Sequence, residues 1–215
     1  AAHGHADALS FCLAVDGEWW LVDPGTYAYH SDPAWRSYFR GTAAHNTIRV
    51  NQEDQSRIGG SFMWLKKANA WIDGLEKKEG IQIVKAHHDG YAHLGLVHRR
   101  ELRLSVSGGQ LDVVDTLQGN LDQKEFAEIH YHFAPEVDIK PGPAEHCWTA
   151  TWAGRRDRLF IYTDPRWKYE VLKWETDPIA GWYSPALEEK VPSSTLHGTA
   201  RFSVSLTNKT KIVVE

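Results

Sequence analysis

Methionine and cysteine are nearly missing from this chain, with one of the first and two of the second in 215 residues. Two cysteines cannot build a disulfide framework, and neither Cys12 nor Cys147 stands in a Cys-x-x-Cys metal pattern. Cys12 falls in an apolar, strand-like stretch and is expected to be a small core residue. No apolar run reaches the ~20 residues of a membrane-spanning helix, and no signal peptide is recognisable. Excess positive charge is missing too. A net charge of −4 gives no overall basic field, which excludes nucleic acid as a partner class and leaves any anionic ligand to local positive groups. There is no fixed-period repeat and no His-Glu-x-x-His metal motif.

Aromatic residues are plentiful: ten Trp, eight Tyr and seven Phe, which pack on sheets as readily as they stack on sugar rings. Leu9, Phe11, Leu13 and Val15 alternate with Ser10, Cys12 and Ala14, the period of a strand. Asp16-Gly17 is a hairpin turn, and 19–22 is the return strand. After His45, strands are expected at 47–50, 70–75, 81–86, 97–106, 111–117, 128–133, 159–163, 169–173, 201–206 and 211–214. Breaks fall at Asp73-Gly74, Asp89-Gly90, Gly108-Gly109 and Gly119-Asn120, and Gly108-Gly109 joins its flanking strands as a hairpin. Many strands joined by turns define an all-β class: a large antiparallel β-sandwich of two layers with few short helical turns. Residues 1–215 are long enough for one such domain. Pro141-Gly142-Pro143 is a surface loop, and the strands on both sides of it are expected to share one sheet pair.

The chemistry concentrates between His3 and His45. His3 and His5 are separated by one residue, Asp23 follows a strand, and His45 lies beyond a long loop. Imidazole and carboxylate are the ligands of Zn²⁺, so His5, Asp23 and His45 read as a three-ligand metal site, with zinc favoured over the all-oxygen chemistry of Ca²⁺. The alternative is that Asp23 caps a turn before Pro24 and the histidines are polar residues near a chain start. For the metal reading, residues 3–8 must bend back over the end of the first hairpin. Residues 24–44 form a connection too long to be a simple turn, with a helical turn expected near 33–39. Its Tyr27, Tyr29, Trp35 and Arg40, with Asn46 beside His45, are the expected substrate-binding residues of a groove for an acidic sugar. Covering one end of the sandwich is the loop's other use. His87-His88 and His130-x-His132 are further histidine pairs, the second sharing one strand face, with no acidic partner at a recognisable spacing.

The blocks His3-Gly4-His5-Ala6-Asp7, Leu21-Val22-Asp23-Pro24-Gly25-Thr26, Ala44-His45-Asn46-Thr47 and Asp54-Gln55-Ser56 resemble the C-terminal domain of the heparinase II/III-like polysaccharide lyases. The resemblance implies a metal held at His5, Asp23 and His45, and a catalytic or charge-neutralising role for His3 at the substrate. It implies β-elimination on a uronate-containing (glycosaminoglycan- or alginate-like) polysaccharide and a periplasmic or secreted location. It also implies an upstream helical toroid in the same chain. The sequence does not begin with Met and its main motif starts at the third residue, so a C-terminal fragment lacking that toroid is expected. Two other readings remain. A non-catalytic carbohydrate-binding sandwich with a structural metal fits the aromatics but leaves His3 unexplained. A cupin-like oxidase would need a Glu soon after the second His, where Leu9 and Ser10 stand.

Overall fold

The computed structural model describes residues 2–119 and 124–215. Its strands in chain order are β1 (Leu13–Val15), β2 (Glu18–Leu21), β3 (Ile48–Val50), β4 (Arg57–Gly60), β5 (Met63–Lys66), β6 (Ala70–Lys78) and β7 (Ile81–His88). Then come β8 (Leu96–Ser105), β9 (Gln110–Gly119), β10 (Glu125–His132), β11 (Val137–Pro141), β12 (Cys147–Trp152), β13 (Arg158–Tyr162) and β14 (Lys168–Lys173). The last are β15 (Glu175–Thr176), β16 (Ile179–Ala180), β17 (Trp182–Ala186), β18 (Glu189–Pro192), β19 (Ser194–Phe202) and β20 (Leu206–Val214). Two antiparallel layers dominate: an eight-stranded sheet, β11-β12-β13-β20-β9-β8-β7-β6, and a four-stranded one, β14-β19-β10-β3. The all-β sandwich expected from the strand pattern is the observed fold.

Side-chain alternation sets what lies between the layers. On β10, Ala127, Ile129 and Tyr131 face the large sheet, where Val113, Leu117, Leu159 and Ile212 meet them in the core. Tyr131 donates its hydroxyl across the gap to Thr210 Oγ1 at 2.9 Å, and Tyr169 donates to Asn208 Oδ1 at 2.8 Å. These bonds let two polar rings enter the core without unmet hydroxyls.

The helical turn expected near residue 33 is a helix, α1 (Pro33–Arg40). Asp32 caps it by accepting from Ala34 N and Trp35 N, and Pro33 occupies the first turn, where no N–H is needed. The Gly108-Gly109 hairpin joins β8 and β9, with Ser105 opposite Gln110. Pro141-Gly142-Pro143 turns β11 into β12 within one sheet.

Several expectations fail for local reasons. The strand expected from Leu9 shrinks to β1, because Leu9 has φ +63° and Ser10 N donates to Asp7 O in a turn. Cys12 is exposed, since Phe11, Leu13 and Val15 are the residues of that alternation that pack on the core. Asp73-Gly74 is a bulge inside β6, not a break. Residues 201–206 straddle the turn between β19 and β20. The β4–β5, β15–β16 and β17–β18 hairpins were not foreseen. Asn120 lies outside the described residues.

One buried polar chain crosses the large sheet. Gly90 N donates to His88 Nδ1 at 3.0 Å, so the His88 proton sits on Nε2 and is donated to His98 Nδ1 at 3.0 Å. His98 then donates from Nε2 to Asp115 Oδ1 at 2.7 Å. Arg100 forks onto the same carboxylate through Nε at 2.7 Å and Nη2 at 3.0 Å. Burial lowers both histidines below their ordinary value; at His98 the hydrogen bond it donates to Asp115 opposes the shift without cancelling it. Burial pushes Asp115 up, but Arg100 and His98 outweigh it and hold the carboxyl down to about 2. The unfolded chain takes up the two imidazole protons as pH falls through about 6.5, and the folded chain resists. Unfolding therefore becomes easier in acid, by up to about 1.4 kcal/mol per pH unit for each histidine. The Asp115 contribution persists above pH ~4 and is lost only toward pH ~2. Urea unfolding at pH 7, 6 and 5 measures this; an unfolding free energy that stays level over that range contradicts the neutral assignment.

Candidate functional site

Residues 6–11 run under the end of the sandwich without regular structure, so their carbonyls need other partners. Side chains supply them. Thr42 Oγ1 donates to Ala6 O at 3.0 Å, Thr47 Oγ1 to Ala8 O at 3.0 Å, and Gln55 Nε2 to Ala8 O at 3.1 Å. Arg100 Nη1 donates to Leu9 O at 2.7 Å, and Asn46 Nδ2 to Phe11 O at 2.7 Å. Ala6 N closes the bend by donating to Arg40 O at 2.8 Å. This is the bend that the metal reading required. Asp23 is placed by a second device: its Oδ1 accepts from Gly25 N at 3.0 Å. Gly25 has φ +87°, and a Cβ there would collide with the backbone of Ser184.

The bend brings four side chains together. One ligand atom each from His5, Asp7, Asp23 and His45 lies within 4.8 Å of all the others. His45 Nδ1 is 2.7 Å from Asp23 Oδ2, and the His5 and His45 ring centroids are 5.1 Å apart. His45 is fully buried and its Nε2 has no hydrogen-bond partner among the described residues. Burial, and then the neighbouring His45, lower the His5 imidazole to about 4, so it is neutral at pH 7 with a lone pair to offer. Burial raises Asp23, but the hydrogen bond and charge of His45 prevail and keep it ionised. Two imidazoles and a carboxylate, one nitrogen unpartnered, suit a zinc ion. Asp7, two residues from His5, is a fourth member of the cluster not expected from the sequence, for which the His5-x-Asp7 spacing was the available signal.

His3 is exposed beside this cluster. Its ring meets Tyr29 edge-on at 4.9 Å and Phe62 at 6.1 Å. Arg36 lies under the same aromatics, its guanidinium 5.0 Å from the Tyr29 ring and 6.0 Å from Phe62. Arg36 and Arg40 share a face of α1 and are buried under the β4–β5 hairpin, donating to Ser61 O and Gly60 O. Arg40 also covers the Trp64 ring at 4.0 Å. Three guanidinium nitrogens, Arg36 Nη1 and Arg40 Nε and Nη2, have no hydrogen-bond partner among the described residues. Arg36 and Phe62 were not among the expected site residues; the i, i+4 spacing of Arg36 and Arg40 was the available signal.

The remaining expected residues divide. Tyr29 stands with His3. Tyr27 and Trp35 make their ring contacts with each other, Tyr38, Phe39 and Trp182, and Lys190 Nζ lies 4.0 Å from Tyr27 and 4.4 Å from Trp35. Arg40 is interior. Asn46 requires correction: it is fully buried and cannot meet a substrate. Its side chain donates to Phe11 O and Val22 O at 2.7 and 3.0 Å and accepts from His132 N at 2.6 Å. Among the described residues, neither His87 nor His88 joins a ligand cluster: His87 pairs with Asp73, and His88 belongs to the interior chain.

Residues 1–214 match the family model described as Heparinase II/III-like, C-terminal. The chain belongs to that family of lyase C-terminal domains. No curated protein matches it. Among solved structures, heparan sulfate lyase HepC from Pedobacter heparinus is similar with a TM-score of 0.79 at 15% identity, over 99% of this chain and 31% of that one. A heparinase III structure gives 0.77 at 17% identity, over 97% and 30%. The heparinase III BT4657 gene product gives 0.77 at 16%, over 98% and 30%. At such identities the likeness is one of fold, and the chain spans less than a third of each relative. Among the described residues, no helix is long and apolar enough to cross a membrane.

The corrected role of Asn46 is measurable. Asn46→Ala strands the buried Val22 carbonyl and His132 N–H and the partly buried Phe11 carbonyl, at about 1–3 kcal/mol for each buried group left unmet. Denaturant unfolding should show a loss of several kcal/mol; a change below about 1 kcal/mol would return Asn46 to the surface chemistry first expected of it.

Proposed function

We propose that this chain is the metal-holding β-sandwich part of a polysaccharide lyase that cleaves uronate-containing polysaccharide by β-elimination. The observation that carries the reading is the placement of His3: exposed, in an aromatic niche over Arg36, two residues from His5 in a convergent cluster. The family membership supports it, with the heparan sulfate lyase and heparinase III among the structures of like fold. A zinc ion at His5, Asp23 and His45 would be held by ligands from three separated segments. When bound, it supplies positive charge and a fixed anchor. His5 then pins the stretch that carries His3, and His45 pins the far end of the loop that carries Tyr29.

In such an elimination the proton at C5 of the uronate is a poor acid while the carboxylate is charged. Donors and positive charge at that carboxylate stabilise the anion that develops. His3 Nδ1 or Nε2 is the exposed donor of this chain, with the Arg36 guanidinium behind it. A base removes the C5 proton, an acid protonates the departing O4, and the product carries a C4–C5 double bond. The upstream helical domain of the full-length protein supplies the other wall of the groove and further acid–base groups in this reading. Its export to the periplasm or exterior, where such polymers are met, is part of the same proposal.

His3→Ala in the full-length protein should lower turnover by about 10²–10⁴-fold while folding and zinc content persist. The ultraviolet absorbance of the unsaturated product follows the rate, and elemental analysis follows the metal. His5→Ala, by contrast, should remove one zinc per chain and lower the melting temperature. Near-normal turnover of His3→Ala would favour a non-catalytic carbohydrate-binding module.

The 215-residue chain alone should fold, hold its ion and fail to cleave, because one wall and the remaining acid–base groups are elsewhere. Adding the upstream region in trans should restore product absorbance. Robust cleavage by the chain alone would locate a second catalytic group inside it, and Tyr29, against His3, is the first to replace.

A further inference from the structure

The outer face of the four-stranded sheet holds a second cluster of ligand side chains. Alternation along β10 turns Glu128, His130 and His132 away from the core. On such a face polar side chains usually meet water, yet Glu128 and His130 are each 5% exposed. Tyr38 of α1, Ala43 and the stretch Pro178 to Ala180 cover them, leaving a cavity of about 350 Å³. His197 on β19 stands directly opposite His130 in the register, and the two rings stack at 4.9 Å.

We propose that Glu128, His130 and His197 form a second divalent-metal site, of the zinc class, in this cavity. One ligand atom from each lies within 4.8 Å of the other two. His130 Nδ1 is buried without a hydrogen-bond partner among the described residues, and His197 Nε2 is buried with Glu128 Oε1 3.4 Å away, a pairing within the proposed ligand set itself. The other His197 nitrogen, Nδ1, lies 3.4 Å from Glu170 Oε1, the carboxylate–imidazole pairing that orients metal-bound histidines. Arg49 grips Glu128 through Nε at 2.8 Å and Nη2 at 3.0 Å. Each carboxylate oxygen keeps a second lone pair for an ion. His132 is excluded as a ligand: its Nδ1 bonds Thr195 Oγ1 and its Nε2 bonds Ala43 O, both at 3.0 Å. Three protein ligands leave a coordination position facing the cavity, and two imidazoles with one carboxylate are a zinc donor set.

This site is separate from the His5 cluster and does not depend on the lyase reading. The two share no ligand: Ala43 lines the cavity, whereas His45 belongs to the first cluster. The experiment uses the full-length protein, stripped of metal, reconstituted with Zn²⁺ and assayed by elemental analysis. Glu128→Gln and His197→Gln should each lose one zinc per chain, while His5→Ala loses a different one and the His5→Ala/His197→Gln pair loses two. Glu170→Gln should keep the ion but bind it 10–100-fold more weakly. Glu128→Gln keeps the side-chain volume and an acceptor for Arg49, so it reports on the ion even if His197→Gln fails to fold. Wild-type zinc content in a folded Glu128→Gln overturns the second site and leaves the first untouched. Loss confined to the His5→Ala protein has the same meaning.

Discussion

One buried carboxamide, that of Asn46, holds together the end of this molecule that carries the His5 cluster. Asn46 donates to the carbonyls of Phe11 and Val22 and accepts from His132 N, while its own N–H reaches Ser10 Oγ at 3.0 Å. Its carbonyl in turn accepts from Arg100. Those partners come from the bend after His5, the strand before Asp23, the small sheet and the large sheet. The bonds to Val22, His132 and Arg100 are shut away from water, where an unmet hydrogen bond is costly. The residue next to His45 thus ties together the segments bearing the candidate ligands.

Behind Asn46 stands the pair Arg100–Asp115. Five N–H groups and no acceptor make arginine a one-way connector. Two of its nitrogens satisfy Asp115, and a third serves Leu9 O and Asn46 O. Such a pair is weak evidence of net stability, because both charges had to leave water. Its clearer effect is on geometry: the planar fork permits few arrangements of the irregular segment above it.

The regular parts of the fold were legible because period-2 alternation states which side chains face inward. It placed Phe11, Leu13 and Val15 correctly, and it placed His130 and His132 on one face. The same alternation applied two residues earlier adds Glu128, an acidic partner that the search for linear metal spacings passed over. Pro33 after Asp32 announced α1 through elementary capping chemistry. What could not be read were features set across the fold. Leu9 adopts a left-handed conformation because distant donors claim its neighbourhood. Asn46 looks identical in sequence whether its amide faces a sugar or a carbonyl. Phe62 reaches His3 only because the β4–β5 hairpin folds over α1.

The position of β20 carries a kinetic consequence. Residues 206–214 lie in the middle of the eight-stranded sheet, between β13 and β9, with Leu206 opposite Leu117 and Leu159 opposite Val214. Until that strand arrives, the large sheet exists as two halves, each exposing an unpaired inner edge. Pairings between residues so distant in sequence close slowly, because loop entropy is lost before contacts compensate for it. Assembly of the sandwich must therefore wait for one of the last strands in the sequence, and the half-sheets formed earlier carry the open edges on which misassociation begins.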